Sequence, residues 1–210
     1  MSKKHRVDPR IRRTNKYLRD ALIALLKVKD ANSITIQEIT EKADLTRGTF
    51  YLHYQDKQDF LFQSMTEVLD DLIQQVKPEA PVVEPVSIDE DHPPVSFVKL
   101  FEYIHEHAEY FQVMLSDRGL PQFRSLMAEF VQKRIYEELL SSIEESENTL
   151  QVPKEILVSY ITSAHIGVIC SWLENGMKYS PLFMANQLTR LTLLGPLRIA
   201  GIEEQVKLPY

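Results

Sequence analysis

Two helical patterns separated by only three residues constrain this chain more than any other feature of its sequence. Thr35 is followed three residues later by Glu38, a capping box that predicts the start of a helix at Thr35. Residues 43–45 are too few for anything but a tight turn, and Asp44 tolerates the left-handed conformation that such turns often need. Thr46 then predicts the cap of a second short helix.

Longer helical patterns flank this pair on both sides. Apolar residues recur at steps of three and four over residues 10–29, and again after Asp56, which predicts the cap of the following helix. Two short helices that are joined by a three-residue turn and braced by longer helices form a helix-turn-helix. The second short helix then occupies the recognition position, where exposed side chains reach a DNA groove.

Charge is distributed unevenly along the 210 residues, whose formal net charge is −6. Residues 1–60 hold 13 Lys and Arg against 8 Asp and Glu, whereas residues 61–210 hold 11 against 22. A basic head on an acidic body is typical of a protein whose head meets a polyanion. We therefore predict a DNA-binding domain over residues 1–60 and a regulatory and dimerisation domain over residues 61–210.

The second domain is also predicted to be helical, so the predicted fold class is all-α. Residues 77–94 are acidic and rich in proline, which indicates a linker or loop. Glycine is scarce, and alternating β-branched runs are hard to find. Beyond the loop, the three-four pattern predicts helices over residues 95–109, 111–115, 121–145, 153–175 and 181–194.

Composition and motifs argue against several classes of protein. The single cysteine, Cys170, rules out an intramolecular disulfide and fits a reducing cytosol. Apolar runs fall short of the roughly 18 residues of a membrane span, so we expect a soluble cytoplasmic protein with no membrane partner. No phosphate-binding glycine loop, zinc-spaced Cys/His set or nucleophile elbow is present, so we expect neither an enzyme nor a cofactor. His105 and His107 point in different directions on a helix, which argues against a metal site.

The predicted helix that begins at Pro153 is apolar nearly all round. A helix that is apolar on both sides must be covered on both, and small residues let a second backbone approach closely. Core packing alone could explain the pattern, but we favour a dimer interface that includes the helix over residues 180–194. The predicted interface residues are Ser163, Gly167, Ser171, Leu188 and Leu191.

A family resemblance lies in residues 34–65, ITIQEITEKADLTRGTFYLHYQDKQDFLFQSM, together with the preceding helix. The order of capping Thr, short turn, Thr-Arg-Gly-Thr-aromatic-Tyr, His-aromatic and Lys resembles that of the TetR/AcrR family of transcriptional regulators. Asp44 departs from the family, which usually has glycine there. The resemblance implies an all-helical homodimer with an N-terminal DNA-binding head and a C-terminal body for ligand binding and dimerisation.

The resemblance also implies roles for residues of the head. Arg47 matches a residue that reaches base edges, where arginine can bind guanine through two hydrogen bonds. Thr35 matches a phosphate contact, for which a free backbone N–H at a helix start is suited, and Lys57 matches a phosphate clamp. Phe50 and Tyr54 match core positions. The implied DNA-binding residues are Thr35, Thr46, Arg47, Gly48, Thr49, Tyr51, His53 and Lys57.

Aromatic and polar residues of the body could line a small-molecule pocket or pack in the core. Methionine and aromatic residues at helical spacing are common in cores, whereas the resemblance favours a pocket. The candidate pocket residues are Tyr103, His107, Phe111, Met127, Tyr160, His165 and Trp172.

Together these patterns predict a sequence-specific DNA-binding transcriptional regulator. The expected protein is a ligand-responsive repressor that binds a palindromic operator in double-stranded DNA as a homodimer, with a small-molecule effector as a further partner. The alternative is a TetR-like coactivator or interaction module whose body binds a partner protein or a metabolite. The retained positive charge of Arg47 and Lys57 favours the DNA-binding alternative.

Overall fold

The structure is a computed structural model that describes residues 9–76, 93–116, 118–135 and 152–201. These residues form helices and no strand, which confirms the all-α prediction. A 3-10 turn, Ala31–Ser33, connects the first two helices. The helices are α1 (Pro9–Leu26), α2 (Ile36–Lys42), α3 (Arg47–Tyr51), α4 (Lys57–Val76), α5 (Val95–Glu106), α6 (Ala108–Leu115), α7 (Pro121–Ile135), α8 (Lys154–Glu174), α9 (Pro181–Leu194) and α10 (Pro196–Ile199).

Helix boundaries differ from the predicted ones at a few places. The segment expected as one helix over residues 95–109 ends earlier, because the backbone of His107 leaves the helical region. The proline-rich segment up to residue 92 and the predicted continuation of α7 to residue 145 lie outside the described residues.

The described residues fall into two compact units. The first contains those of Met1–Asp70 and Glu109–Leu126, and the second contains those of Asp71–Ala108 and Met127–Tyr210. The unit that holds the helix-turn-helix therefore also includes most of α6 and the start of α7, beyond the boundary of 1–60 expected from the sequence.

Local hydrogen bonds define the helix-turn-helix. Thr35 Oγ1 accepts from the backbone N–H of Glu38 at 3.2 Å, and the Glu38 carboxylate accepts from the backbone N–H of Thr35 at 2.9 Å, which confirms the capping box. Asp44 adopts a φ of 55°, the left-handed conformation expected at the turn. Thr46 Oγ1 accepts from the N–H of Thr49 at 3.1 Å and so caps α3.

An aromatic cluster, composed of Phe50, Tyr54 and Phe60, fixes α3 against α4. The ring centroids lie 5.4 Å apart for Phe50 and Tyr54, 5.5 Å for Phe50 and Phe60, and 4.9 Å for Tyr54 and Phe60. Phe50 and Phe60 are fully buried, and Tyr54 is nearly so. Such pairs contribute about 0.5–1.5 kcal/mol each beyond the apolar area that they bury.

Within the first unit, the segment between α6 and α7 contacts the end of α1. The guanidinium of Arg118 donates to the backbone carbonyl of Lys27 at 3.2 Å, and the Lys27 ammonium donates to Glu109. Gly119 follows, with its Cα so close to α6 that an added Cβ would lie 2.2 Å from the carbonyl oxygen of Met114. Only glycine can occupy this position without displacing the backbone of α6.

In the second unit, α9 packs against α5 and contacts α8. Phe101 of α5 meets the indole of Trp172 edge-on at a centroid distance of 5.3 Å. The indole N–H donates to the backbone carbonyl of Tyr179 at 3.0 Å, which joins the end of α8 to the start of α9. The intervening turn contains Gly176 and Met177, both with positive φ.

By length and composition, α8 is the one helix of the described residues that is apolar enough to cross a membrane, and 44% of its most apolar window is buried in the structure. The expectation concerned unbroken apolar runs, whereas α8 meets a criterion of mean hydropathy without containing such a run. The reason is that its serine, threonine and glycine residues are only weakly polar. Core helices of globular proteins satisfy the same criterion.

We predict that Gly119→Ala destabilises the protein, because its Cβ would overlap the backbone of α6. The free energy of unfolding, measured by urea titration at fixed protein concentration, should fall by about 1–3 kcal/mol. Gly48→Ala is the matched control, since its Cβ would lie 3.6 Å from Thr46 Oγ1 in ordinary contact. Equal stability of the two variants would contradict the prediction.

Candidate DNA-binding site

The exposed face of α3 carries the side chains that the sequence assigned to DNA. Arg47, Gly48 and Tyr51 are exposed, and Thr49 and His53 are half-buried. Arg47 makes no hydrogen bond or ion pair within the part of the chain that the structure describes, so its guanidinium is free to meet a ligand. Because Phe50 is buried on the opposite side, this face must point away from the core.

The two threonines at the start of α3 bind each other. Thr46 Oγ1 and Thr49 Oγ1 lie 2.9 Å apart, and the Thr46 hydroxyl also accepts the N–H of Thr49. Between them the two hydroxyls keep one O–H available for a partner outside the protein. A capping role and a contact with DNA are therefore compatible at this position.

Thr35 differs from the expectation of a free backbone N–H. Its N–H and its hydroxyl both donate to the Glu38 carboxylate, at 2.9 and 3.0 Å. That carboxylate also accepts from the ammonium of Lys29, and this hydrogen bond, with those from Thr35, lowers the pKa of Glu38 to about 2. The start of α2 therefore carries its own anion, and the expectation of a free N–H at Thr35 was wrong.

Lys57, which was matched to a phosphate clamp, makes hydrogen bonds within the head. Its ammonium donates to the carbonyl oxygens of Ala31 at 2.8 Å, Ile34 at 2.7 Å and Asn32 at 3.4 Å. The structure thus directs this charge to the turn before α2.

The two residues matched to core positions are buried, Phe50 fully and Tyr54 nearly so. Burial, reinforced by the charge of Glu67, raises the pKa of Tyr54. At the start of α1, Arg12 and Arg13 are exposed, and Arg13 Nε donates to the hydroxyl of Tyr17 at 2.8 Å.

Leu52 is a residue that the sequence analysis missed. It follows α3 directly and is 82% exposed, the largest exposed fraction among the large apolar residues described. The sequence did not indicate that Leu52 is exposed, because a leucine close to Phe50 is equally consistent with a buried position. An exposed aliphatic group beside Tyr51 suits contact with a thymine methyl group in the major groove.

The structure does not bring the seven predicted pocket residues together. Tyr103 and His107 pack ring against ring at 4.4 Å, and the Tyr103 hydroxyl donates to Asp71 at 3.1 Å. Phe111 is fully buried in the first unit, and Met127 is fully buried in the second. Helical spacing predicts the helix face on which each residue lies, but it does not identify the side chains that the residue contacts.

The other three predicted pocket residues, Tyr160, His165 and Trp172, line an open groove between α8 and α9 of about 820 Å³. The walls are largely apolar and aromatic, and Tyr179 and Phe183 complete them. We call this feature the α8–α9 groove.

His165 is a buried polar residue on the wall of the α8–α9 groove, with only 4% of its surface exposed. Its Nε2 lies 3.1 Å from Thr192 Oγ1, whose own proton is donated to the carbonyl of Leu188 at 2.7 Å. Nε2 must therefore carry a proton and donate to Thr192, so the neutral imidazole has the Nε2-protonated tautomer. Burial lowers the pKa of His165 to about 4, consistent with that state.

The predicted dimer residues separate into two groups. Ser163, Gly167 and Ser171 lie exposed along one face of α8, and Leu191 is half-buried. Leu188 is only 1% exposed and packs inside the second unit, where it also lines the α8–α9 groove. Leucines of a core and leucines of an interface follow the same helical spacing, so the sequence of α9 does not distinguish the two.

Two family models match the chain. The model described as "Bacterial regulatory proteins, tetR family" matches residues 18–64, and a TetR-type model described as "Transcriptional regulator C-terminal region" matches residues 91–193. Together they cover most of the chain, including the helix-turn-helix and the α8–α9 groove.

A curated relative is the uncharacterized HTH-type transcriptional regulator YxbF of Bacillus subtilis (strain 168). It is 29% identical over 168 residues, which make up 78% of this chain and 40% of the relative. The chain thus spans less than half the length of that protein.

Solved structures share the fold. The transcriptional regulator FadR from Bacillus subtilis, in complex with stearoyl-CoA, is 17% identical with a TM-score of 0.58, over 86% of this chain and 98% of that one. The dihydroxyacetone kinase operon activator DhaS is 16% identical with a TM-score of 0.55, over 86% of this chain and 94% of that one.

A helix-turn-helix that exposes an unpaired arginine on its recognition helix, in a chain that also has a helical body, is typical of a DNA-binding transcriptional regulator. The matches to both parts of the chain make the assignment specific. The chain belongs to the TetR family of transcriptional regulators.

We predict that His165 makes the fold sensitive to acid. Its folded-state pKa of about 4 lies below the ordinary value of 6.5, so the unfolded chain takes up a proton first as the pH falls. Its contribution to stability is complete above pH 6.5 and is lost by pH 4, a change of about 3 kcal/mol. In urea titrations, the free energy of unfolding of His165→Gln should fall less between pH 6.5 and pH 4 than that of the natural protein. The same fall in both proteins would contradict the prediction.

Proposed function

We propose that this chain is a homodimeric repressor that binds a palindromic operator in double-stranded DNA and releases it in response to a small-molecule effector. The observation that carries the proposal is the exposed face of α3, on which Arg47 has no described partner while Phe50 anchors the helix from behind. A free guanidinium on a rigid helix is the group that most often reads guanine in the major groove.

The uncovered face of α8 supports the proposal of a dimer. Ser163 and Gly167 are exposed on an apolar helix, and an added Cβ at Gly167 would meet no atom within 4 Å. The α8–α9 groove continues this face, with exposed Tyr160 and Phe183 at its walls. A second copy would cover apolar surface that monomers rarely expose, and it would space two recognition helices for a two-fold operator.

Support for an effector is less direct. FadR, whose fold this chain shares, was solved with stearoyl-CoA. We propose a small-molecule effector for this body on that ground, and we assign the α8–α9 groove to the second copy, because its lining includes Gly167 and Ser171 of the same exposed face.

A second candidate function is a coactivator that acts through its body. The shared fold with the operon activator DhaS supports it. It makes no use of the free Arg47, so we rank it second.

The test is to incubate the purified protein with fragmented genomic DNA at near-physiological salt and to sequence what it retains. Recovery of one inverted repeat is the expected result. Diffuse retention that disappears with rising salt would contradict sequence-specific binding, and would favour the coactivator.

We predict that Arg47→Ala weakens binding to the recovered repeat by about 1–3 kcal/mol and relaxes the preference for one base pair, because two hydrogen bonds to a base are lost. Fluorescence anisotropy with a set of single-base variants of the repeat measures both effects. Lys42→Ala, which removes an exposed positive charge from the end of α2, is the control and should keep the base preference. An unchanged preference in Arg47→Ala would remove Arg47 from the recognition surface.

We also predict that Gly167→Glu yields a folded monomer, since its side chain has free space in one copy but would place two carboxylates between paired copies. Light scattering should give 24.4 kDa for this variant, and twice that mass for the natural protein, with equal helix content by circular dichroism. Gln132→Glu adds the same charge at an exposed position on α7 and should remain dimeric. A dimeric Gly167→Glu would exclude this face of α8 as the interface.

A further inference from the structure

Glu67 of α4 holds α1 through both oxygens of its carboxylate. Oε1 accepts from the side-chain amide of Asn15 at 2.8 Å, and Oε2 accepts from the guanidinium of Arg19 at 3.5 Å. The ion pair is only partly exposed, with 24% of the Arg19 side chain and 43% of the Glu67 side chain accessible. These contacts mark the place where α1 and α4 meet inside the first unit.

Three polar atoms of the same unit are buried and have no hydrogen-bond partner within the described part of the chain. They are the hydroxyl oxygens of Tyr54 and Tyr110 and the side-chain oxygen Oδ1 of Asn15. Tyr54 is 3% exposed and Tyr110 is 9% exposed. Buried polar groups of native proteins are nearly always hydrogen-bonded, because burial without a partner is costly. Three such atoms in one unit therefore indicate a partner that is not a protein group.

The three atoms lie around the pair of Arg19 and Glu67. Asn15 Oδ1 belongs to the amide whose nitrogen donates to Glu67. Burial raises the pKa of Tyr54 and of Tyr110, and the same two charges act on both hydroxyls, Glu67 raising the pKa and Arg19 lowering it. Because electrostatic interaction weakens with distance, both hydroxyls are close to this pair.

The rings that carry the two hydroxyls are fixed by aromatic packing. The ring of Tyr54 meets that of Phe60 at a centroid distance of 4.9 Å, and the ring of Tyr110 meets Phe123 at 5.5 Å and Phe111 at 5.7 Å. All three phenylalanines are fully buried. The tyrosines therefore cannot turn toward other partners without loss of these contacts.

The donors and acceptors of this cluster match one water molecule. Two neutral phenols can each donate to a lone pair of the water oxygen, and the two water protons can be donated to Asn15 Oδ1 and to the Glu67 carboxylate. A buried water typically makes about three such hydrogen bonds. A neutral ligand also suits the surroundings, because a cation would lie beside Arg19 and an anion beside Glu67.

We propose that the hydroxyls of Tyr54 and Tyr110, together with Asn15 Oδ1, bind one ordered water molecule beside Glu67. This water connects α6, which carries Tyr110, to α1 and to the segment that directly follows the recognition helix. The inference goes beyond the proposed function and does not depend on it, because it concerns how the first unit is held together.

The first measurement is a double-mutant cycle in the full-length protein. Tyr54→Phe, Tyr110→Phe and the double variant are unfolded with urea at one protein concentration. Each single substitution should raise the equilibrium constant of unfolding by about threefold to tenfold, because a hydrogen bond to the water is lost. The double variant should raise this constant by less than the product of the two single effects, since both hydroxyls bind the same water.

Tyr51→Phe is the matched control, because it removes an exposed hydroxyl from the same head. It should leave the equilibrium constant of unfolding unchanged, and all variants should keep the helix content of the natural protein by circular dichroism. If the buried hydroxyls have no partner, their removal should leave the constant unchanged or lower it. Either that result or independent effects of the two substitutions would overturn the proposal.

The second measurement is a crystal structure of the natural protein at a resolution that shows ordered water. We expect one water oxygen at about 2.8 Å from the hydroxyl oxygens of both Tyr54 and Tyr110. A direct hydrogen bond between the two hydroxyls would also couple the two substitutions, and this measurement distinguishes it from a shared water. Such a direct bond, or the lack of density for a water at this position, would contradict the proposal.

Discussion

Burial of Phe50 against Phe60 is the interaction on which the whole DNA-binding face depends. A helix of five residues, such as α3, makes too few backbone hydrogen bonds to be stable alone, so its orientation is imposed from outside. The aromatic cluster does this from one side and leaves Arg47, Gly48 and Tyr51 on the other. The exposed cationic face is thus a direct consequence of where one phenylalanine is buried.

The sequence predicted those parts of the fold that arise between near neighbours in the chain. The Thr35 capping box, the left-handed Asp44 and the cap at Thr46 all involve residues no more than three apart, and all three are present. Lys57 was different, because a four-carbon side chain can reach acceptors 23 to 26 residues away and nothing in the sequence identifies them. Side chains whose partners come from tertiary structure cannot be assigned from local spacing.

Local spacing also could not predict which residues of the C-terminal body are buried. Periodicity placed Leu188 and Ser163 on helices, but burial of the first and exposure of the second depend on which helices pack together. The sequence did identify α8 as apolar on both sides, and the structure leaves the side with small residues uncovered. For the predicted pocket, three residues share the α8–α9 groove and four do not, because Tyr103, Phe111 and Met127 are buried elsewhere and His107 is exposed.

Trp172 gives the molecule a built-in optical reporter. It is the chain's only tryptophan, it is 4% exposed, and its N–H holds the carbonyl of Tyr179 across the turn between α8 and α9. An indole in such surroundings emits at shorter wavelength than one in water, and one that lines the α8–α9 groove responds to whatever fills it. The emission colour of the unlabelled protein therefore follows this end of the body alone, without interference from the head.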